Sequence, residues 1–164
     1  MSFTSIDFRR TMGHFATGIN VVTTVLDGTY YGITVNAFCS VSLEPPQALI
    51  CIDKTTYTHE VLKKSKVFAV SMLSGEQQYL SERFAQHDST GGKTFDDLNL
   101  RALETGSPVF EKALAYLDCK IVAEYEGGDH TIFLGEVLAL GYSEAQNPAP
   151  LLYYCSEYRI LDEK

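Results

Sequence analysis

The chain has 164 residues, 45% of them apolar and 21% charged, with a net charge of −8. That is enough chain to bury a self-sufficient core, and the balance of charge excludes intrinsic disorder. The acidic surplus argues against nucleic acid as a partner, because phosphate neutralisation supplies most of that affinity. The one basic cluster, Lys63, Lys64 and Lys66, reads as a solvated helix face.

In chain order, Phe8, Met12 and Phe15 recur at helical spacing, so a helix is expected over residues 5–17, with Ser5 as N-cap and Gly18 as stop. The β-branched run 19–26 predicts a strand, Asp27-Gly28 a two-residue turn, and 30–35 the returning strand of a hairpin. Residues 36–44 read as a small, polar connection ending at Pro45-Pro46, which excludes helix. A buried strand is expected at 48–52, helices at 55–65 and 76–85, a strand at 67–73 and a polar loop at 86–94. Leu117, Cys119, Ile121, Ala123 and Tyr125 alternate with Asp118, Lys120, Glu124 and Glu126, the pattern of a half-buried strand. Gly127-Gly128 turns it into 131–140, and 151–155 closes the sheet. Short hairpin connections make the sheet antiparallel, so the expectation is a mainly β fold with flanking helices, a barrel of about six or seven strands in one domain over 1–164.

Residues 1–7 lack the basic region and apolar run of a signal peptide, and no apolar run is long enough to span a bilayer. Cysteines at 39, 51, 119 and 155 have no zinc or C-x-x-C spacing, so reduced thiols in a cytoplasm are expected. Gly13 and Gly18 have the spacing of a phosphate loop but lack the Lys-Ser/Thr that follows it. Neither G-x-G-x-x-G nor G-x-S-x-G occurs, and the histidines at 14, 59, 87 and 130 never recur at three- or four-residue spacing. Two clusters of small polar residues remain beside strand ends: Thr34, Asn36, Ser40 and Ser42, then Lys54, Thr55, Thr56 and Thr58. They are either an anion or nucleotide cradle or ordinary turn and cap residues.

Longer blocks carry more information. Phe15-Ala16-Thr17-Gly18-Ile19-Asn20-Val21-Val22-Thr23-Thr24, then Gly32-Ile33-Thr34-Val35-Asn36-Ala37-Phe38 through Pro45-Pro46, Arg83-Phe84-Ala85, Gly128-Asp129-His130-Thr131 and Pro150-Leu151-Leu152-Tyr153-Tyr154 run in one order along nearly the whole chain. On these blocks the sequence resembles the short-chain flavin reductase family, the reductase components of two-component flavin monooxygenases. The resemblance implies a dimeric split β-barrel that uses NADH or NADPH to reduce FMN or FAD for a partner oxygenase.

Carried over, it implies that Thr34, Val35, Asn36 and Ala37 meet the flavin ring, largely through backbone groups, with Ser40 and Val41 continuing that wall. Lys54, Thr55, Thr56 and Thr58 are implied at the ribityl chain and phosphate, and Arg83, Phe84 and Ala85 on the phosphate side. His130 and Tyr158 are implied near the nicotinamide, His130 being either a proton donor there or a plain turn residue. Cys39 is expected to pack without a redox role. Ser156 and Arg159 depart from the glycine and histidine of many relatives, leaving Arg159 either a reader of the NADPH 2′-phosphate or a surface residue. Two other readings stay open, a flavin-holding electron carrier and a non-catalytic flavin-binding module.

Overall fold

The computed structural model of the protein describes residues 2–86, 95–144 and 149–161. Helix α1 (Ser5–Met12) is followed by β1 (Thr17–Gly18), β2 (Asn20–Leu26), β3 (Thr29–Val35), β4 (Phe38–Leu43), β5 (Pro46–Asp53), α2 (Tyr57–Ser65) and β6 (Val67–Met72). A 3-10 turn (Gly75–Gln77) leads into α3 (Gln78–Ala85), then come β7 (Leu100–Ala102), β8 (Pro108–Phe110), β9 (Ala115–Gly127), β10 (His130–Tyr142), β11 (Leu151–Tyr154) and β12 (Glu157–Ile160). Seven strands form the main sheet in the order β3-β2-β6-β9-β10-β5-β4, and every neighbouring pair is antiparallel. The sheet curls into a split barrel, with Cys51 N donating to Ala37 O at 3.0 Å just beyond the end of β3.

Strand β2 is buried on both faces, which is why its sequence shows no alternation. Val22 points into a core with Ile50, Phe68, Cys119 and Phe133, inside the barrel. Val21 points the other way, into a second core with Leu80, Phe84, Phe110 and Leu151, beneath α3 and the C-terminal strands. Three backbone bonds of 3.0 Å, Ile19 N to Leu151 O, Leu151 N to Leu73 O and Leu73 N to Ile19 O, tie the small sheet β1-β11-β12 to the barrel.

Several expectations change. Helix α1 stops at Met12, capped by Thr4 rather than Ser5, because Thr17 and Gly18 are drawn into pairing with β11. The expected apolar face buries nothing: Phe8, Met12 and Phe15 are all exposed. Residues 38–43, read as a connection, form edge strand β4 on β5. Strand β12 was not foreseen, since its turn is Cys155-Ser156, two non-glycine residues at φ 49° and 65°. Asp118 is fully buried rather than outward, accepting a 2.8 Å bond from Thr105 N. Cys39 is exposed instead of packed. The loop read at 86–94 lies outside the described residues except for Gln86. Lys63, Lys64 and Lys66 are exposed, as a solvated face requires. Among the described residues no helix is long and apolar enough to cross a membrane.

Candidate functional site

Where β3 leaves the barrel, the backbone must turn toward β4, so the last side chains of β3 stand at an open rim. Val35 still points into the barrel core, while Asn36 is exposed at the turn. A cleft of about 200 Å³ opens there, lined by Thr34, Val35 and Asn36, by Ser81 and Ala85 of α3, by Ile19, and by Tyr153 and Tyr158 of the C-terminal hairpin. A larger, mostly apolar cavity of about 430 Å³ shares Ile19 and Asn36 with it. Phe15, Thr17, Phe38, Met72, Leu114 and Leu151 are among its walls. Ile19 and Asn36 are thus common to two adjoining spaces.

The Thr34 hydroxyl donates to Ser81 O at 2.7 Å, which leaves this residue's backbone as its offering to a ligand. Tyr158 OH meets Ser81 Oγ at 2.9 Å, and its ring packs edge-on against Tyr153 with centroids 5.7 Å apart. Ala37, Ser40 and Val41 lie beyond the rim, exposed at the start and along the length of β4. Phe84 is fully buried among Phe95 and Phe110, so only its main chain can serve a ligand. Arg83 grips Asp97 through two bonds of 2.7 and 2.9 Å, and this pairing holds the Asp97 carboxyl below its ordinary range.

A second group gathers at the ends of β5 and β10. Lys54 Nζ donates to Glu126 Oε2 at 2.5 Å and to Gly128 O at 2.6 Å, and Lys54 N to Asp129 O at 3.0 Å. The Lys54 ammonium pulls the Glu126 carboxyl down, and His130, bonded through Nδ1 at 2.8 Å, does the same to Asp129. His130 stands opposite Asp53 in the β5–β10 register, and Asp53 Oδ1 accepts from the amide and hydroxyl of Thr55, both at 2.8 Å. Thr56 caps α2. Thr58 is buried, its hydroxyl donating to Gly32 O at 3.4 Å.

The structure therefore brings Thr34, Val35, Asn36, Ala85 and Tyr158 together in one cleft, and Lys54, Thr55 and His130 together in another place. His130 lines neither cavity. Arg159 pairs with Glu157 on the exposed side of β12. Sequence reasoning gave no role to Thr17, Ile19, Ser81 or Tyr153. Only the fold reveals them, since 134 residues separate Ile19 from Tyr153.

A flavin carries a flat, mostly apolar ring with a polar edge and an anionic tail. Such a ring suits an apolar slot with a few aimed polar groups. The larger cavity is of that kind, and Thr17 Oγ1, on its wall, is buried with no hydrogen-bond partner among the described residues. An orphaned buried hydroxyl is costly unless a ligand or water satisfies it. The residues present fit the group.

Comparison with known proteins agrees. The flavin reductase like domain family matches residues 12–162. The reductase subunit HsaB of a flavin-dependent monooxygenase from Mycobacterium tuberculosis is 37% identical over 151 residues, 92% of this chain and 79% of that one. An NADH-dependent FAD reductase from Streptomyces globisporus is 44% identical over 135 residues, covering 81% of this chain and 74% of the other. Among solved structures, flavin reductase PheA2 in its native state superposes with a TM-score of 0.87 at 38% identity, over 98% of this chain and 100% of that one. With a family match over nearly its whole length and a fold shared with a solved flavin reductase, the chain belongs to the flavin reductase-like family.

Proposed function

We propose that the protein is an NADH-dependent flavin reductase that passes reduced FMN or FAD to a separate monooxygenase component, acting as a single domain. The observation that carries this reading is the pair of spaces adjoining at Asn36, one with an orphaned hydroxyl, in a chain of this family. The bound flavin supplies the hydride-accepting centre. The protein has no bond of its own to make or break, so its work is to hold two rings in register and keep water from between them.

Asn36 and the backbone of Thr34, Val35 and Ala37 orient the polar edge of the flavin ring, with Ser40 and Val41 beside it. Lys54 neutralises the phosphate end, with Thr55 and Thr56 beside it at the α2 N-terminus. Thr58 supports them by pinning α2 to β3. Arg83 and the main chain of Phe84 and Ala85 border the phosphate side, and Tyr158 faces the nicotinamide. His130 serves the nicotinamide from the rim once a ligand bridges the two residue groups. NADH is favoured over NADPH because relatives are named NADH-dependent and Arg159, raised above as a reader of a 2′-phosphate, pairs with Glu157.

A homodimer is part of this reading. Helix α1 buries none of its residues, and Leu138, Leu140 and Tyr142 form an exposed apolar row on β10, with Leu43 on β4 90% exposed. Apolar rows of this kind mark association surfaces. Four free cysteines suit a reducing cytoplasm.

The test is anaerobic oxidation of NADH and NADPH with and without FMN or FAD, followed at 340 and 450 nm. Bleaching at both wavelengths is expected only with flavin present, and faster with NADH. Flavin binding without bleaching by either nucleotide would make the protein an electron carrier or a binding module.

A further inference from the structure

Ser81 occupies an unusual place. It is fully buried in α3, where a serine hydroxyl ordinarily bonds back to the carbonyl one turn earlier. Here Ser81 Oγ instead meets Tyr158 OH at 2.9 Å, across 77 residues of sequence. The same residue's carbonyl accepts the Thr34 hydroxyl at 2.7 Å. One helical residue is thus bonded to both walls of the smaller cleft, to β3 through its carbonyl and to β12 through its side chain. The two links are chemically separable, since removing the hydroxyl leaves the carbonyl in place.

We infer that Ser81 is a positioning residue that sets the Tyr158 phenol, and with it the width of the cleft on the nicotinamide side. The inference rests on the flavin reductase reading and goes beyond it, by assigning nicotinamide affinity to a side chain beneath the cleft. Among the described residues β12 is the outer strand of the small sheet, paired only with β11, so no further strand fixes Tyr158, whose ring packs against the second core. The Tyr153 ring steers the Tyr158 ring edge-on, which limits tilt but not the reach of the hydroxyl. The Ser81 bond supplies that last constraint. A partly buried side-chain bond of this kind fixes geometry as well as contributing energy.

The experiment compares Ser81→Ala, Tyr158→Phe, the double variant and Thr34→Val by titration calorimetry. FMN, FAD and the unreactive NAD⁺ are the ligands, NAD⁺ being titrated into flavin-loaded protein. Ser81→Ala and Tyr158→Phe cut the same bond from opposite ends. Each is expected to weaken NAD⁺ binding roughly fivefold, with flavin affinity held within about twofold. The double variant is expected to be no worse than either single one, because the bond can be lost only once. Thr34→Val, which cuts the other link, is expected to weaken flavin and spare NAD⁺.

Multiplying effects in the double variant, or an unaltered NAD⁺ affinity in Ser81→Ala, overturns the inference. So does a parallel loss of flavin affinity, NAD⁺ affinity and thermal midpoint in Ser81→Ala, the signature of a merely structural role. Tyr158→Phe keeps the fold if Ser81→Ala does not. A wild type that binds neither flavin nor NAD⁺ removes the functional reading, and this inference with it.

Discussion

Gly32 offers a direct test of how the second core shapes the site. It lies buried in β3 beneath α3, and a methyl group built on it falls 2.8 and 2.9 Å from two ring carbons of Phe84 and 3.2 Å from Phe95. Contacts that short require something to move. Phe84 has no free direction: it is fully buried, with ring centroids 5.0 Å from Phe95 and 5.7 Å from Phe110. Overpacking a core costs about 1–3 kcal/mol, and two close contacts against a locked ring place Gly32→Ala in the upper half of that range. For a chain of this length each kcal/mol shifts the midpoint by about 2–4 °C, so a fall of roughly 4–12 °C is expected. Because Phe84 shares α3 with Ala85, which lines the cleft, flavin affinity should fall as well. Thermal and urea unfolding followed by far-UV circular dichroism, with flavin fluorescence quenching alongside, measures both. Phe84→Leu in the Gly32→Ala background should recover part of the loss, since the smaller side chain relieves the clash. An unchanged midpoint in Gly32→Ala, or strict additivity in the double variant, would falsify the proposed packing.

Other expectations follow from the two residue groups and the surface. Lys54→Ala should weaken FMN roughly tenfold and riboflavin hardly at all, because a charge-assisted bond to phosphate contributes about 1.5–3 kcal/mol and the one-third exposure of Lys54 favours the low end; equal losses for both ligands would remove Lys54 from the anion site. Thiol titration of the native protein should find Cys39 and Cys155 reactive, Cys51 slow and Cys119 silent until unfolding, since burial raises the Cys51 thiol and pushes that of Cys119 up to about 12. The same shift fixes a sign: the folded state holds the Cys119 proton more tightly than the ordinary value of 9.0, so this stabilisation is complete below pH 9 and drains away as pH rises toward 12. Cys119→Ala should flatten that alkaline slope in unfolding midpoints; an unchanged slope assigns it to other groups. Phe8→Glu combined with Leu140→Glu should convert a dimer to monomer in sedimentation, and a wild type that sediments as a monomer would refute the dimer outright.

Much of this protein is written locally. The Asp27-Gly28 hairpin, the alternation of β9 from Cys119 to Val122, the Pro45-Pro46 turn and the Thr56 cap of α2 depend on nearest neighbours, and short-range chemistry shows in sequence. Elsewhere in β9, Asp118 is buried and Tyr125 exposed against the expected pattern. The cluster around Thr34 and Asn36 was visible for the same reason, as small polar residues next to a strand end. The blocks running from Phe15 to Tyr154 carried the family. Other features have no local signature. Strand β4 reads as a connection because only its pairing with β5 makes it a strand, and β12 hides behind a turn of two non-glycine residues. The end of α1 was settled by competition, since pairing with β11 withdraws Thr17 and Gly18 from any helix. Whether Lys54 is paired, whether Phe84 faces a ligand or the core, and that one serine joins both walls of the cleft are facts about residues many positions apart. Those contacts exist only once the barrel closes and the C-terminal hairpin packs beside it, because the free energy that selects them is that of burying two cores at once.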